Sequence, residues 1–373
     1  MTARPILSGE QAASCYFRTT VDHPNRKALI QICEPCNALC KHCFVTATKR
    51  GTYMSLSQIK DRLIPQLAES RVTRVTLTGG EPFMHTDLID IVAAFRDAGM
   101  AVGVCTNGTM VSDEDIAALA ELDAHMNVSL DGFAEESHSV FRGLPGCFAE
   151  TIDTIKRFAT AGILQGLLCT PNNLAEDREY RQLVEFAREQ GATYVLMNPL
   201  GSMGRGQSKN AQGKLRTPDE QMQQIAAMTA PFEADGGPEM VNIRFPNTES
   251  RPLANCEAGT IIYTFTDGGV AICPYLVFAA RTTASQHPDT DFLVGNVWEH
   301  DDIAKRLDAY GKFSDRWDLG GNPTCGSCSL SDSCGKGCPA AVVAAGERIG
   351  AVDTELCPVV PHQTRVLPVV GVS

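Results

Sequence analysis

The sequence predicts an α/β fold built on a parallel sheet, followed by a cysteine-rich region in its last third. Between residues 28 and 197, six short apolar runs alternate with segments of helical length. Parallel strands need such crossover connections, so the alternation predicts a parallel sheet with helices packed on it. Seven of the fifteen cysteines lie between residues 256 and 357. That density is typical of metal or redox chemistry in a chain without a secretion signal.

The six predicted strands are short and rich in Val, Ile, Leu and Thr. Residues of this kind suit a pleated sheet that is buried on both faces. The predicted strands cover residues 28–32, 72–78, 101–106, 126–130, 164–169 and 194–197.

Five helices are predicted between these strands. The segment 57–69 repeats apolar residues every four positions, and Pro65 within it predicts a kink or an early stop. Ser112 is expected to cap a helix that runs to Leu122, with three acidic residues in its first turn. The other predicted helices cover residues 87–98, 148–161 and 176–190.

Residues 201–255 change in character and are predicted to connect two domains. The stretch 201–213 is rich in Gly, Ser and Gln, and Thr217 is expected to cap a helix that has Pro218 at its first position. The predicted divisions are an N-terminal lead-in (1–27), an α/β domain (28–215), a connecting helical region (216–255) and a cysteine-rich domain (256–373).

Composition excludes several classes of function. The net charge of −12 argues against nonspecific binding of nucleic acid, which needs a basic surface. No apolar run reaches the roughly 18–20 residues of a membrane span. The polar N-terminus, broken by Pro5, does not resemble a signal peptide. Together with the odd number of cysteines, this predicts a cytoplasmic protein, with a secreted disulfide protein as the alternative.

A tight group of cysteines follows the first predicted strand. Cys36, Cys40 and Cys43 have the spacing C-x3-C-x2-C. Three thiolates can hold three corners of a four-iron cluster and leave the fourth iron without a protein ligand. Our hypothesis is that the open iron binds the methionine end of S-adenosylmethionine and passes it an electron. A structural zinc loop is the alternative.

This loop resembles the signature of the radical S-adenosylmethionine (radical SAM) enzymes. In that family the open iron binds the amino and carboxylate groups of the cofactor, whose reductive cleavage gives a 5′-deoxyadenosyl radical that abstracts a substrate hydrogen. The resemblance implies a partial (β/α)6 TIM-like barrel with its chemistry at the carboxyl ends of the strands. It also implies that Cys36, Cys40 and Cys43 are the catalytic cluster ligands, and that the electron donor is of the flavodoxin or ferredoxin type.

A second motif follows the second predicted strand. Gly79-Gly80-Glu81-Pro82 allows close approach of the backbone to a ligand and offers one carboxylate, a combination that suits an ammonium group. It resembles the family's GGEP motif, which contacts the amino group of S-adenosylmethionine. An ordinary strand-to-helix turn is the alternative.

Other polar residues are predicted at the same edge of the sheet. His42 lies directly before Cys43, where the family often has an aromatic residue beside the adenine; a solvent-facing histidine is the alternative. Ser129 matches a family position for the ribose or carboxylate. Arg142 offers a fork of donors for the cofactor carboxylate, with a surface ion pair as the alternative. Asn107, Asn172 and Asn198 are expected to line the pocket. The isolated cysteines receive no role, because single cysteines are most often small core residues: Cys15, Cys33, Cys105, Cys147 and Cys169.

The C-terminal cysteines have a regular spacing. Eleven residues separate Cys256 from Gly268 and four separate Gly268 from Cys273. Tyr263, Phe265 and the turn Thr266-Asp267-Gly268-Gly269 predict a hairpin between the two cysteines. A C-x2-C-x5-C-x3-C run and a final cysteine follow. The set resembles the SPASM extension of radical SAM enzymes, a small cysteine-rich α+β domain, and the two resemblances together cover about residues 28–360. A double zinc ribbon is the alternative.

The SPASM resemblance implies two auxiliary [4Fe-4S] clusters, and therefore three clusters in all. Carried over by position, Cys256, Cys273 and Cys338 would serve the first auxiliary cluster, which is one thiolate short. We expect either a non-cysteine ligand there or an iron open to substrate. The second cluster would use Cys325, Cys328, Cys334 and Cys357.

The resemblance implies modification of a ribosomal peptide, forming a crosslink, a thioether or an oxidised side chain in natural-product biosynthesis. Only 27 residues precede the first predicted strand, so a separate leader-binding domain is not expected there. A small sugar or nucleoside that undergoes oxidation, epimerisation or decarboxylation is the alternative substrate. A sensor or binding protein that uses iron–sulfur clusters is a further alternative.

Overall fold

The computed structural model describes residues 11–16, 21–22 and 24–360. Its strands are β1 (Arg26–Cys33), β2 (Val72–Gly79), β3 (Ala101–Thr106), β4 (His125–Ser129), β5 (Leu164–Cys169), β6 (Tyr194–Met197), β7 (Glu239–Asn242), β8 (Ile261–Thr264), β9 (Gly269–Ala271) and β10 (Leu293–Asn296). They form one sheet in the order β10-β9-β8-β1-β2-β3-β4-β5-β6-β7.

The strands from β1 to β7 are all parallel and lie side by side in chain order. The predicted α/β fold is therefore confirmed, and each predicted strand lies within two residues of an observed one. Sequence reasoning missed β7, which lies in the region predicted to be helical and connecting and which extends the parallel sheet beyond β6.

The helices mostly cross over between the parallel strands. They are α1 (Leu56–Gln58), α2 (Ile64–Glu69), α3 (Leu88–Asp97), α4 (Asp113–Glu121), α5 (Glu135–Arg142), α6 (Cys147–Thr160), α7 (Asp177–Glu189), α8 (Asp219–Ala234), α9 (Pro274–Ala280), α10 (Ile303–Tyr310), α11 (Phe313–Arg316), α12 (Pro323–Gly326) and α13 (Pro339–Ala344). Within the described ranges, no helix has the length and apolar character needed to cross a bilayer.

Shorter helical turns connect these elements. Four are 3₁₀ turns, at Pro82–Met84, Gly204–Gln207, Asp289–Phe292 and Ser331–Ser333, and two are π turns, at Ile59–Leu63 and Ala211–Leu215. The first π turn joins α1 to α2, so the helical segment continues to Glu69 and the early stop predicted at Pro65 is wrong. A π turn shifts the backbone hydrogen bonds and so accommodates the missing N–H of proline.

Of the two predicted helix caps, the one at Ser112 is confirmed and the one at Thr217 is wrong. Ser112 caps α4 as predicted, and its side chain accepts a hydrogen bond from the Asp115 N–H. The Thr217 cap is wrong, because Pro218 itself occupies the cap position of α8 and the buried Thr217 hydroxyl has no hydrogen-bond partner.

One continuous core lies between the sheet and its helices. The inward-facing residues of the central strands, such as Ile30, Leu77 and Val104, are fully buried. Helical residues such as Leu67 and Phe95 pack against the same core. This apolar burial is the main favourable term that holds the helices against the sheet.

The predicted hairpin between Cys256 and Cys273 is confirmed. Strands β8 and β9 are antiparallel, and β8 also pairs in parallel with β1, with Leu29 opposite Tyr263. The sheet is thus continuous across the predicted boundaries at residues 215 and 255. The division into separate domains stays a prediction.

The segment 12–16, inside the predicted lead-in, packs against the C-terminal part of the chain. Ala12 forms a bridge with Leu253, and the Arg244 N–H donates to the Ala13 carbonyl at 2.7 Å. The Arg244 guanidinium donates to the Ser14 carbonyl at 2.8 Å and to both oxygens of the buried Asp353. These contacts fix the segment.

The turn after β2 packs closely against the cysteine loop after β1. The Gly80 N–H donates to the Cys33 carbonyl at 2.9 Å. A Cβ atom added to Gly80 would lie 2.0 Å from the Pro35 carbonyl oxygen. Glycine is required here by the neighbouring backbone, whereas the sequence suggested close approach to a ligand as the reason.

Replacing Gly80 with alanine is expected to lower the free energy of unfolding by about 1–3 kcal/mol or more, because two backbone segments must separate. Thermal unfolding measures this loss. The control is Gly213→Ala, where an added Cβ meets no atom within 4 Å. Equal melting temperatures for the two variants would contradict the close packing.

Replacing Arg244 with methionine is expected to cost about 3–5 kcal/mol in the free energy of unfolding, because it leaves the Asp353 carboxylate buried without its partner. Denaturant titration measures the loss. Arg306→Met is the control, since its ion pair with Asp302 is solvent-exposed and such pairs contribute little. A similar midpoint for both variants would show that the buried ion pair does not anchor this region.

Candidate functional site

The loop after β1 carries Cys36, Cys40 and Cys43 to the carboxyl edge of the parallel sheet. It folds back on itself, because the Cys36 N–H donates to the Thr48 carbonyl at 2.7 Å and the Cys43 N–H donates to the Cys40 carbonyl at 3.3 Å. Cys36 and Cys40 are buried, and Cys43 packs with them in one small apolar cluster. The three predicted cluster ligands are therefore brought together.

A residue that sequence reasoning missed holds this loop in place. Arg205 donates from Nε to the Cys40 carbonyl and from a terminal nitrogen to the Ala47 carbonyl, both at 2.7 Å. The only sequence signal was a basic residue in the Gly- and Ser-rich stretch 201–213. The arginine fork joins the two ends of the cysteine loop, and this rigidity is what an exact ligand geometry requires.

A cavity of about 350 Å³ opens beside the three thiols. Its volume lies in the range of about 300–1,000 Å³ that is usual for small-molecule sites. Every residue predicted to bind the cofactor lines this cavity, together with the three thiols: His42, Gly79, Gly80, Glu81, Asn107, Ser129 and Arg142. Residues from the segments after β1, β2 and β3, from the end of β4 and from the end of α5 thus converge on one space at the carboxyl edge of the sheet.

Cys36 and Cys40 are protonated at neutral pH when no metal is present. Burial raises the pKa of Cys36 to about 12, and burial also raises the pKa of Cys40. The Arg142 guanidinium opposes the shift at Cys40, since a terminal nitrogen lies 3.8 Å from its sulfur. Metal ligation needs thiolates, so cluster assembly at this loop must release protons.

Glu81 is buried and connects two loops of the site. Its carboxylate accepts hydrogen bonds from the Thr106 hydroxyl at 2.7 Å and from the Asn107 N–H at 2.8 Å. Burial raises the pKa of Glu81, and these hydrogen bonds oppose that shift. The carboxylate lines the cavity as predicted, but its position is set by the protein before any ligand binds.

Arg142 lies in a buried ion pair that the sequence did not reveal. Its Nε is 2.5 Å from an oxygen of Asp131, which is fully buried. Burial alone would raise the pKa of Asp131, but the guanidinium beside it holds the pKa below its usual value. Arg142 still lines the cavity, so it offers only the rest of its donor fork to a ligand.

His42 stacks on Phe141, with ring centroids 4.6 Å apart and an interplanar angle of 14°. Burial lowers the pKa of His42 to about 4, so the ring is uncharged at neutral pH. Its Nδ1 is buried without a hydrogen-bond partner. A flat, neutral ring at the cavity wall is compatible with the predicted place beside an aromatic base.

The three asparagines predicted at the pocket differ in position. Asn107 and Asn198 line the cavity, and the buried side-chain oxygen of Asn198 has no hydrogen-bond partner. Asn172 does not line it, so that expectation is wrong. Its side chain donates to the Asp131 carbonyl at 2.8 Å and accepts from the Leu174 N–H, and both bonds fix the loops beneath the site.

The three cysteines predicted to hold the first auxiliary cluster, Cys256, Cys273 and Cys338, also lie close together. Cys273 and Cys338 are the cap residues of α9 and α13, and these helices pack against each other. Burial raises the pKa of Cys256, and the neighbouring Cys273 and Cys338 thiols raise it further. Two helix N-termini therefore face the group, an arrangement that favours thiolates.

A fourth cysteine, to which the sequence analysis assigned no role, lies in this group. The Cys15 thiol lies close enough to the Cys338 and Cys256 thiols that both raise its pKa, as does burial. Cys15 is far from the others along the chain, so spacing could not identify it.

The predicted second auxiliary set carries hydrogen bonds to its sulfurs. The Cys334 sulfur accepts from the Leu253 and Lys336 N–H groups, both at 3.4 Å. The sulfurs of Cys328 and Cys325 also accept, from Leu330 N–H at 3.4 Å and from the Asn322 side chain at 3.3 Å. Burial raises the pKa of Cys357, and the nearby Cys325 and Cys334 thiols raise it further. Hydrogen bonds to sulfur tune the potential of iron–sulfur clusters.

The arrangement of these thiols suits an iron–sulfur cluster better than a single metal ion. Within the described part of the chain, no three His, Cys, Asp or Glu side chains are arranged to hold a single metal ion. A four-iron cluster is larger than one ion and takes each thiolate at a separate corner. The three thiols at one wall of the cavity, two of them buried, are compatible with such a cluster, which Cys36, Cys40 and Cys43 would hold.

The chain resembles known proteins in sequence and fold. Residues 30–186 match the radical SAM superfamily. Mycofactocin maturase MftC of Mycobacterium tuberculosis is 28% identical over 329 residues, covering 86% of this chain and 80% of that protein. The subtilosin biosynthesis protein AlbA of Bacillus subtilis is 30% identical over 185 residues, covering 48% of this chain and 40% of that protein.

A solved structure has the same fold over most of the chain. SuiB of Streptococcus suis, bound to its precursor peptide SuiA, superimposes with a TM-score of 0.69 at 14% identity. The match covers 88% of this chain and 75% of that one. The parallel sheet, the cysteine loop at its carboxyl edge and these likenesses together support a radical SAM enzyme with a SPASM-type C-terminal domain.

Proposed function

We propose that this enzyme uses S-adenosylmethionine and a [4Fe-4S] cluster held by Cys36, Cys40 and Cys43 to modify a ribosomal peptide. The observation that carries the proposal is the single cavity lined by these three thiols and by the Gly79-Gly80-Glu81 turn. When bound, the cluster and cofactor supply a 5′-deoxyadenosyl radical that removes a hydrogen atom from the substrate.

The residues around the cavity would bind and orient the cofactor. Glu81 is a buried carboxylate that suits an ammonium group, and the remaining donors of Arg142 suit a carboxylate. Ser129 and Asn107 offer polar groups for the ribose, and the neutral ring of His42 offers a stacking surface for the base. Because the protein already holds these side chains in hydrogen bonds, ion pairs and ring stacks, binding costs little reorganisation.

The SPASM-type part would hold two auxiliary [4Fe-4S] clusters. Cys256, Cys273 and Cys338 would serve the first. Support comes from the two helix N-termini that face this group. The N–H to sulfur hydrogen bonds support the second cluster, with the ligands Cys325, Cys328, Cys334 and Cys357.

A peptide substrate is supported by the relatives. MftC is named a maturase, AlbA belongs to the biosynthesis of the bacteriocin subtilosin, and SuiB is solved with a precursor peptide. We propose that the enzyme works in the cytoplasm with a flavodoxin- or ferredoxin-type electron donor. All fifteen cysteines are free thiols, which suits a reducing compartment.

The triple variant Cys36→Ala, Cys40→Ala, Cys43→Ala is expected to release no 5′-deoxyadenosine, because no protein ligand for the catalytic cluster remains. The measurement is chromatography after anaerobic reduction with S-adenosylmethionine. The variant should keep about eight irons per chain, from two four-iron clusters.

Cys147→Ala is the control, because this buried thiol bonds to Ser139 and lies away from the cavity lining. It should release 5′-deoxyadenosine as the parent does. Release by the triple variant, or a colourless parent that binds zinc in the cysteine loop, would contradict the proposed site. A parent protein that binds iron but releases no 5′-deoxyadenosine would instead indicate a sensor.

Incubation with a short precursor peptide encoded beside the gene is expected to change the mass of that peptide, and the change should require S-adenosylmethionine. Mass spectrometry measures it, and a peptide of scrambled sequence is the control. Turnover of a sugar or nucleoside, with the peptide unchanged, would contradict the peptide proposal and support the small-molecule alternative.

A further inference from the structure

We infer that Cys15 is the fourth protein ligand of the first auxiliary cluster, together with Cys256, Cys273 and Cys338. This inference rests on the proposed auxiliary cluster and adds the ligand that the C-terminal cysteine spacing does not supply. It replaces the two expectations for that position, a non-cysteine ligand or an iron open to substrate.

The position of the Cys15 sulfur carries the inference. The thiol lies 3.2 Å from the Asn255 carbonyl oxygen and 3.7 Å from the Gly337 carbonyl oxygen. These residues immediately precede Cys256 and Cys338 in the sequence. The Cys15 thiol therefore contacts the backbone directly before two of the proposed ligands.

The backbone on both sides of Cys15 is held firmly. Ala12 exchanges hydrogen bonds with the strand-like segment at Pro252 and Ala254, at 2.9 and 3.0 Å. The buried Arg244 donates to the Ser14 carbonyl at 2.8 Å. On the other side, the Tyr16 ring stacks on Tyr275, with centroids 4.4 Å apart. Because the backbone is fixed on both sides of Cys15, its thiol can bind a cluster without the cost of first ordering a flexible segment.

The same anchor links the three sequence regions that supply the thiols. Arg244 binds Asp353, and an oxygen of Asp353 accepts the Cys338 N–H at 3.0 Å. Tyr275 follows Cys273 by two residues, within the first turn of α9. One buried ion pair and one ring stack thus position Cys15 relative to the thiols at the starts of α9 and α13.

The surroundings also suit a charged cluster. Four thiolates around one cluster need nearby positive charge or donors, because burying uncompensated charge is costly. The Arg244 guanidinium lies beside Cys15, since it donates to the Ser14 carbonyl at 2.8 Å and lies 5.3 Å from the centroid of the Tyr16 ring. A small core cysteine would need none of these groups.

Complete ligation has a functional consequence. With four thiolates, the first auxiliary cluster has no iron available to bind substrate directly. The peptide would then have to be held by protein groups, and this cluster would be restricted to taking up or giving electrons.

The test uses the full chain with Cys36, Cys40 and Cys43 replaced by alanine, so that only auxiliary clusters remain. Iron content, the EPR spectrum of the reduced protein, its midpoint potential and its response to added cyanide are measured. Cyanide binds an iron that lacks a protein ligand. The background protein should hold about eight irons in two four-iron clusters and show no cyanide response.

Adding Cys15→Ala is expected either to lower the iron content to about four per chain or to keep about eight with a new cyanide-sensitive EPR signal. Cys15→Ser keeps the side-chain volume, and it should shift the midpoint potential because oxygen replaces sulfur. The matched control is Cys147→Ala, which should match the background in all four measurements.

The inference is overturned if the Cys15 variants keep the iron content, spectrum and potential of the background and do not respond to cyanide. If Cys15→Ala does not fold, the potential of Cys15→Ser decides in the same way. A background protein with no more than about four irons would contradict the two-cluster proposal and this inference with it.

Discussion

The parallel pairing of β1 with strands on both of its sides is the constraint on which the site depends. β2 lies on one side, and β8, from the C-terminal part of the chain, lies on the other. Neighbouring strands in a sheet are about 4.8 Å apart, so this pairing fixes the distance between the two parts of the chain. The cysteine loop after β1 and the hairpin that leads to Cys273 therefore belong to one rigid body.

A second feature is that the polar groups of the site are engaged before any ligand binds. Glu81 joins the loops after β2 and β3, Asp131 holds Arg142, and Arg205 holds the cysteine loop. Each buried charge has a partner or several hydrogen bonds, which offsets the large cost of removing it from water. The site is thus preorganised around the cavity.

Local signals let the sequence predict much of this. The strands β3, β5 and β6 have their predicted bounds, because apolar runs between turns mark them. The cysteine spacings and the Gly79-Gly80-Glu81 turn are likewise patterns of neighbouring residues. The outcome at Thr217 shows the limit of such signals, since Pro218 and not Thr217 occupies the cap position of α8.

The missed features depend on contacts between distant residues. β7 is a strand only because β6 is beside it, and its own four residues carry no strong pattern. Asp131 is 11 residues from Arg142, and Cys15 is 322 residues from the Gly337 carbonyl that its thiol meets. No spacing rule covers such distances, so only the folded chain could bring these groups together.

The ring stack of Tyr16 on Tyr275 has a practical consequence. Both rings also line the cavity, so Tyr16, which precedes β1, forms part of its wall. Residues 1–27 were predicted to be only a lead-in to the first strand. Deleting them would remove both Tyr16 from the cavity wall and the Cys15 thiol beside the first auxiliary site. The amino-terminal segment is therefore best treated as part of the catalytic unit.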